Sequence, residues 1–344
     1  MPNHFLAAGV YGCVYYPGYT CQGKNMKKNK KWVSKLTYQN EKTDTEIEIG
    51  KRLKKVEGSE HHFVLVHRDC SIPYTSLDQM KKGCDLVKKN KSYILLYSQF
   101  IPSIEFYKYL QNNTLFIRIF RCYYQLYEKI SILIKNNVVH HDLHFANILY
   151  STENAKLYII DFGLSMMTDK FNDKTYLSTV FSRYLPEWAW YTPEIHLISY
   201  IIHYGPLNEK VVHQTIDMYL EKHEVFLLVP ELRTTFKRDA RAYFLPLVDW
   251  DTQECIEHLL SFWNTWDYYE ISLRFLHLYL ENKANYPAFY ENLVLMTQAN
   301  PEKRPKVLPI YQTIQSFDVT NSLTKYYSID VAVATASFKK IDEN

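Results

Sequence analysis

From residue 113 to 135 the chain keeps one pattern: Ile117, Phe120, Tyr124, Tyr127, Ile130 and Ile134 recur at steps of three and four. That period predicts an amphipathic helix whose apolar stripe packs on a core. A second helix, less regular, is predicted over 43–56, with Ile47, Ile49 and Leu53 on its apolar side. Short runs rich in aromatic and branched residues predict strands at 62–68 and 92–100. The first 38 residues read as short strands punctuated by glycine, ending at Trp32-Val33-Ser34-Lys35-Leu36. A loop follows Asn137, then a strand pair at 147–150 and 157–161 and an irregular stretch to about 190. From 193 to 317 the pattern is mainly helical.

A small strand-rich beginning followed by a larger helical part predicts an α+β fold with two lobes, one over about 1–100 and one over about 101–318, and a tail at 319–344. Nothing in the pattern repeats, and no low-complexity linker divides it. At 344 residues the chain can bury a sizeable core without metal or disulfide staples.

A net charge of +3, spread along the chain, gives no argument for a nucleic-acid or membrane partner. The cluster Lys27-Lys28-Asn29-Lys30-Lys31 reads as a solvated turn. Phe5-Leu6-Ala7-Ala8 is too short for a signal-peptide core, and no apolar run reaches the roughly 18 residues of a membrane helix. The six cysteines (Cys13, Cys21, Cys70, Cys84, Cys122 and Cys255) form no C-x-x-C pair and no zinc spacing, so reduced thiols in a soluble, cytoplasmic protein are expected.

The chemistry concentrates in three stretches. Ala7-Ala8-Gly9-Val10-Tyr11-Gly12-Cys13-Val14 sits on the first two predicted strands, where glycines would let backbone N–H groups approach phosphate oxygens. Lys35 lies on a strand where a fixed ammonium could hold phosphates, provided an acid on the next helix fixes it. Glu46 is the candidate, and Glu48 is also spaced to reach.

The third stretch is the most specific: His140-His141-Asp142-Leu143-His144-Phe145-Ala146-Asn147, followed by a hydrophobic strand and Asp161-Phe162-Gly163. Phosphoryl transfer needs a carboxylate to orient the attacking hydroxyl and accept its proton, which suits Asp142. It also needs oxygen ligands for Mg²⁺, which suits Asn147 and Asp161.

In their order and spacing these residues resemble the eukaryotic-type protein kinase superfamily. The resemblance implies that Gly9, Gly12 and Val14 cover a nucleotide, that Lys35 and Glu46 form the phosphate-anchoring pair, that Asp142 is the catalytic base, and that Asn147 and Asp161 hold metal. Thr192-Pro193-Glu194, the helix start at Asp267 and the turn Asn300-Pro301-Glu302-Lys303-Arg304-Pro305 extend the likeness to about 5–318, with Arg304 expected to pair with Glu194. The His-His-Asp-Leu-His loop and the segment from Trp188 to His196 look most like serine/threonine kinases of large cytoplasmic DNA viruses. This implies ATP and Mg²⁺ as cofactors, Ser/Thr hydroxyls of proteins as acceptors, a monomer, and residence in host cytoplasm or virion.

The sequence departs from the pattern at four places. Ala7 stands at the first glycine, and His141 at the arginine beside the catalytic aspartate. His144 stands where the family has a charge-neutralising lysine, so it is a third catalytic candidate whose charge depends on pH. The long separation of Glu194 and Asp267 implies a largely helical insertion over about 197–262. Two other readings are a small-molecule kinase of the aminoglycoside or choline type, and a pseudokinase scaffold.

Overall fold

The protein is described by a computed structural model over residues 5–9, 12–27, 29–81, 83–112, 116–282 and 286–305. Val10 and Tyr11 of the glycine stretch, 113–115 at the predicted helix start and the predicted tail 319–344 lie outside the described residues. The chain divides into two compact units, one of Met1–Leu115 with Gln125–Asn172, the other of Phe116–Tyr124 with Asp173–Asn344. Helix and sheet are mixed, as the α+β pattern predicts.

The first unit is built on an antiparallel sheet of order β1-β2-β3-β5-β4, from β1 (Phe5–Gly9), β2 (Gly12–Tyr15), β3 (Trp32–Tyr38), β4 (Val66–Ile72) and β5 (Tyr93–Gln99). Strand alternation sorts its side chains. Cys13, Tyr15, Leu36, Tyr93, Leu95 and Tyr97 face one way, against Leu77, Met80 and Cys84. Ile94, Leu96 and Val66 face the other, against Ile47 of helix α1 (Glu41–Leu53). Asn40 caps that helix, its side chain accepting from the Thr43 N–H at 3.2 Å. At Gly50 the helix comes so close to β4 that a Cβ would lie 3.1 Å from the Val66 carbonyl oxygen.

The same unit continues through β6 (Ile104–Glu105), α2 (Phe106–Gln111), the C-terminal part of α3 (Phe116–Lys135), β7 (Val138–Val139), β8 (Ile148–Ser151), β9 (Lys156–Ile159) and β10 (Met166–Met167). Strands β6, β8 and β9 form a three-stranded sheet, and β7 pairs with β10.

Three expectations are corrected here. The predicted strand at 62–68 starts later, as β4. Its first residues instead hydrogen-bond β9, Val64 N–H donating to the Ile159 carbonyl at 3.0 Å. On α3 Phe120 and Ile130 of the expected stripe are buried, but Tyr124, Tyr127 and Ile134 are half-buried, and Cys122, Tyr123, Leu126 and Leu133 are buried instead. With apolar residues at so many positions, two overlapping stripes satisfy the same period, and tertiary packing selects one. Finally, four cysteines are not thiols: Cys13 is bonded to Cys84 and Cys21 to Cys70, with Cα atoms 5.9 and 6.0 Å apart. Their sequence separations of 71 and 49 carry no local signature, because only the folded sheet and the segment covering it bring them together. Cys122 and Cys255 are buried outside these bonds. With four of the six cysteines paired, the thiols give no sign of a reducing compartment.

The second unit is helical: α4 (Lys174–Val180), α5 (Pro193–Tyr204), α6 (Glu209–Lys222), α7 (Glu224–Leu228), α8 (Pro230–Phe244), α9 (Thr252–Leu260), α10 (Trp266–Glu281) and α11 (Pro287–Met296). Helices α5 to α9 occupy the stretch where the insertion is expected. Val212, Tyr219, Phe226, Phe236 and Phe244 are buried there, whereas Leu227 and Leu228 stay exposed. Among the described residues no helix is long and apolar enough to cross a membrane.

Candidate active site

On β3, Lys35 lies between the buried residues Ser34 and Leu36, so alternation turns it to the face that carries α1. Val14 on β2 and Leu96 on β5 are its direct cross-strand neighbours. Gly12 makes room for it, since a Cβ there would lie 2.9 Å from the Leu36 carbonyl oxygen and 3.2 Å from Lys35 Cγ. Gly9 pairs with Gly12 at the turn end of the β1–β2 hairpin, and a Cβ added there would meet no described atom within 4 Å outside its chain neighbours.

Lys35 Nζ donates to Glu46 Oε2 at 2.9 Å and to Asp161 Oδ1 at 2.8 Å. The structure therefore pairs Lys35 with Glu46, while Glu48 meets Lys170 instead. Burial works against the lysine's charge, but the two carboxylates outweigh it and hold its pKa above the ordinary lysine range. The carboxylates respond in opposite directions. Burial dominates at Glu46, whose side chain is only 12 % exposed, and pushes it up against the pull of Lys35. Asp161 is 32 % exposed, so burial penalises it less and the Lys35 charge holds it below the usual carboxylate range.

Asp161 takes a left-handed backbone, φ 61°, just before Phe162. A non-glycine residue pays for that conformation, and its neighbours must impose it. Phe162 does so: it is buried, with its ring edge-on to Phe63 at 5.8 Å and to His140 at 4.9 Å. His141 takes the same conformation at φ 63°.

The loop before it is held by two side chains. The buried His140 accepts from the Asp142 N–H on Nδ1 at 3.3 Å and faces the Ile160 carbonyl with Nε2 at 3.0 Å. An accepting Nδ1 requires the proton on Nε2, so the ring spans from residue 142 to residue 160. Asn147 donates from Nδ2 to both the Asp142 carbonyl, at 2.9 Å, and Asp142 Oδ2, at 3.1 Å. Its carbonyl oxygen is then the atom it can offer a cation. His144 Nε2 lies 3.7 Å from Asp142 Oδ2, within ion-pair range and outside hydrogen-bond range.

Lys35, Glu46, Asp142 and Asp161 line one cleft, together with Asn40, Lys42, Thr43 and Gly163. Gly9, Gly12, Val14, Asn147 and His144 lie outside that lining. Asn40 and Lys42 line the cleft without having been singled out, and His140, the first residue of the loop motif, was given no role of its own. Asn40 had a sequence signal as the cap residue before a helical pattern, and Lys42 had none. Among the described residues no three His, Cys, Asp or Glu side chains converge. A cation held by Asn147 and Asp161 would complete its shell with phosphate oxygens and water, which is how Mg²⁺ is commonly bound. The donor set, one charged and one neutral oxygen beside a fixed ammonium, fits that role.

In the second unit, Arg304 forms a bidentate pair with Glu194: Nη1 with Oε1, and Nη2 with Oε2 at 3.1 Å. Nη1 also donates to Thr265 Oγ1 at 3.1 Å, and the guanidinium lies 4.6 Å from the Tyr269 ring centre.

A profile described as the ABC1 atypical kinase-like domain matches residues 92–189, the stretch holding Asp142, Asn147 and Asp161. The comparison with curated proteins finds no match. Over that stretch the chain is similar to a kinase-like domain, which points to phosphotransferase chemistry.

Proposed function

We propose that the chain is an ATP-dependent protein kinase that transfers the γ-phosphate to serine and threonine hydroxyls. The observation that carries this reading is Lys35 held between Glu46 and Asp161 in a cleft that also presents Asp142. A fixed ammonium suits phosphate oxygens, and Asp142 suits the acceptor hydroxyl. In this mechanism Asp142 takes the hydroxyl proton as the acceptor oxygen bonds to phosphorus, and the bond to the leaving ADP oxygen breaks. Asn147 keeps the Asp142 carboxylate turned toward the acceptor. Asn147 and Asp161 would hold Mg²⁺, which would supply positive charge to the phosphate oxygens. His144 adds positive charge near Asp142 when protonated.

A protein acceptor is favoured over a small molecule by the buried Arg304–Glu194 brace, which the resemblance associates with protein kinases. The pseudokinase reading has less support, because a scaffold has no chemical need of Lys35, Asp142, Asn147 and Asp161 together. The match to an atypical kinase-like domain is the observation that keeps a small-molecule acceptor as the second reading. Serine/threonine preference and action in host cytoplasm or virion rest on the likeness to viral kinases, a bilobal arrangement rests on the strand-rich beginning and helical remainder of the chain, and a monomer is part of the same proposal. Incubation with γ-labelled ATP, Mg²⁺ and generic basic and acidic proteins, followed by phosphoamino-acid analysis, tests the reading. Label on phosphoserine and phosphothreonine supports it. Label on phosphotyrosine alone, or on added aminoglycoside or choline and not on protein, overturns it.

A further inference from the structure

Glu46 can meet Lys35 only if α1 keeps both its place and its rotation. On one side the sheet fixes them, through Ile47 against Val66, Ile94 and Leu96 and through the close approach at Gly50. The other side of the helix carries Glu48 and Arg52, four residues apart and so on one face. Both are engaged by consecutive residues of the turn that follows β10. Arg52 Nη1 and Nη2 each lie 2.9 Å from an Asp169 carboxylate oxygen, a parallel two-bond fork. Lys170 Nζ lies 2.8 and 3.0 Å from the two Glu48 oxygens. Arg52 Nη1 also donates to the Asn136 carbonyl at the end of α3, at 3.3 Å. The turn itself is anchored, since the Thr168 N–H donates to the Asn137 carbonyl at 3.0 Å.

We propose that Arg52 and Glu48 are positioning residues, a two-pronged clasp on Asp169 and Lys170 that holds α1 where Glu46 reaches Lys35. The inference rests on the kinase reading for its consequence and on geometry for its existence. The signs cross: the helix supplies a cation for Asp169 and an anion for Lys170. Sliding the helix by one turn would set like charges against each other, so the clasp specifies register as well as proximity. A single partly exposed ion pair contributes little. Two on one helix face, one of them a fork, act together on the same rigid body. Because its charges are side chains, the clasp operates without a phosphate on the segment after Asp161.

Four single variants (Arg52→Ala, Glu48→Ala, Asp169→Ala, Lys170→Ala), the double Arg52→Ala/Glu48→Ala, and the exchange Glu48→Lys/Lys170→Glu test this. Each single variant should raise KM for ATP about two- to fivefold, and the double about tenfold, at nearly unchanged kcat. The exchange should return KM to within about twofold of wild type. Raising salt to about 1 M should narrow the KM difference between wild type and the double variant, since only wild type has the clasp left to screen. Amide hydrogen exchange across α1 is read in parallel, because it needs no activity. Exchange should speed up in the double variant and recover in the exchange variant. Single variants that match wild type in KM and in α1 protection overturn the clasp, as does an exchange variant no better than Glu48→Ala or Lys170→Ala. A wild type that transfers no phosphate but whose α1 protection follows the clasp residues would instead sink the kinase reading alone.

Discussion

Arg304 and Glu194 are 110 residues apart in sequence and meet as a bidentate ion pair with both side chains out of water, Nη2 to Oε2 at 3.1 Å. A buried pair of this kind is costly to break, because removing one partner strands the other charge. Arg304→Met should lower unfolding stability by about 3–5 kcal/mol. Replacing both residues with apolar ones of similar volume should recover much of that loss. Urea denaturation measures each. A cost under about 1 kcal/mol for Arg304→Met would show that the pair does not brace the second unit.

The two disulfides should be detectable chemically. Alkylating the unfolded, unreduced chain should modify Cys122 and Cys255 alone, and alkylation after reduction should modify all six cysteines. By loop entropy the Cys13–Cys84 bond is worth about 4 kcal/mol, and the nested Cys21–Cys70 bond adds less. Reductant should therefore lower the thermal midpoint by several degrees. Six alkylated cysteines without reductant would contradict both bonds.

How far the sequence carried these features depends on how local each one is. The elements around Asp142, Asn147 and Asp161 were legible because the residues lie within one short stretch and their types are chemically constrained. The choice between Glu46 and Glu48 was not, since helix spacing admits both and only the turn holding Lys170 separates them. Part of the buried stripe of α3 and the start of β4 differ from the pattern for a related reason: period and propensity leave neighbouring registers nearly equivalent until the rest of the fold selects one. Disulfide pairing and the Arg52–Asp169 fork join residues far apart in sequence, so no local pattern marks them.

His196 and His223 are buried, and burial pushes each pKa down from 6.5 to about 3. Their Nε2 atoms find no partner among the described residues. In the folded protein both stay neutral while the unfolded chain takes up protons below about 6.5. Their contribution is therefore complete above that pH and is lost as pH falls from about 6.5 toward 3. Each should cost about 1.4 kcal/mol of stability per pH unit within that window. Urea midpoints at several pH values should fall toward acid, and less steeply for His196→Gln/His223→Gln. Parallel slopes for wild type and variant would contradict the linkage.

His144 Nε2 lies 3.7 Å from Asp142 Oδ2, and on the proposed mechanism it would add positive charge where negative charge moves during transfer. His144→Ala should lower kcat by roughly ten- to a thousandfold, and His144→Lys should restore much of it. The profile of the lysine variant should be flatter between about pH 6 and 8. Equal turnover of His144→Ala and wild type across that range would make the residue structural.

The central claim, that this cleft transfers phosphate with Asp142 as base, is tested most directly by single-turnover transfer from γ-labelled ATP at saturating Mg²⁺. Asp142→Asn keeps the size of the side chain and its contact with Asn147 while removing the proton acceptor. The account predicts a fall in rate of about 10²–10⁴-fold with ATP affinity nearly unchanged. Lys35→Met, measured alongside, should lose at least as much rate, with ATP held more weakly. An Asp142→Asn protein that turns over at the wild-type rate would contradict the account.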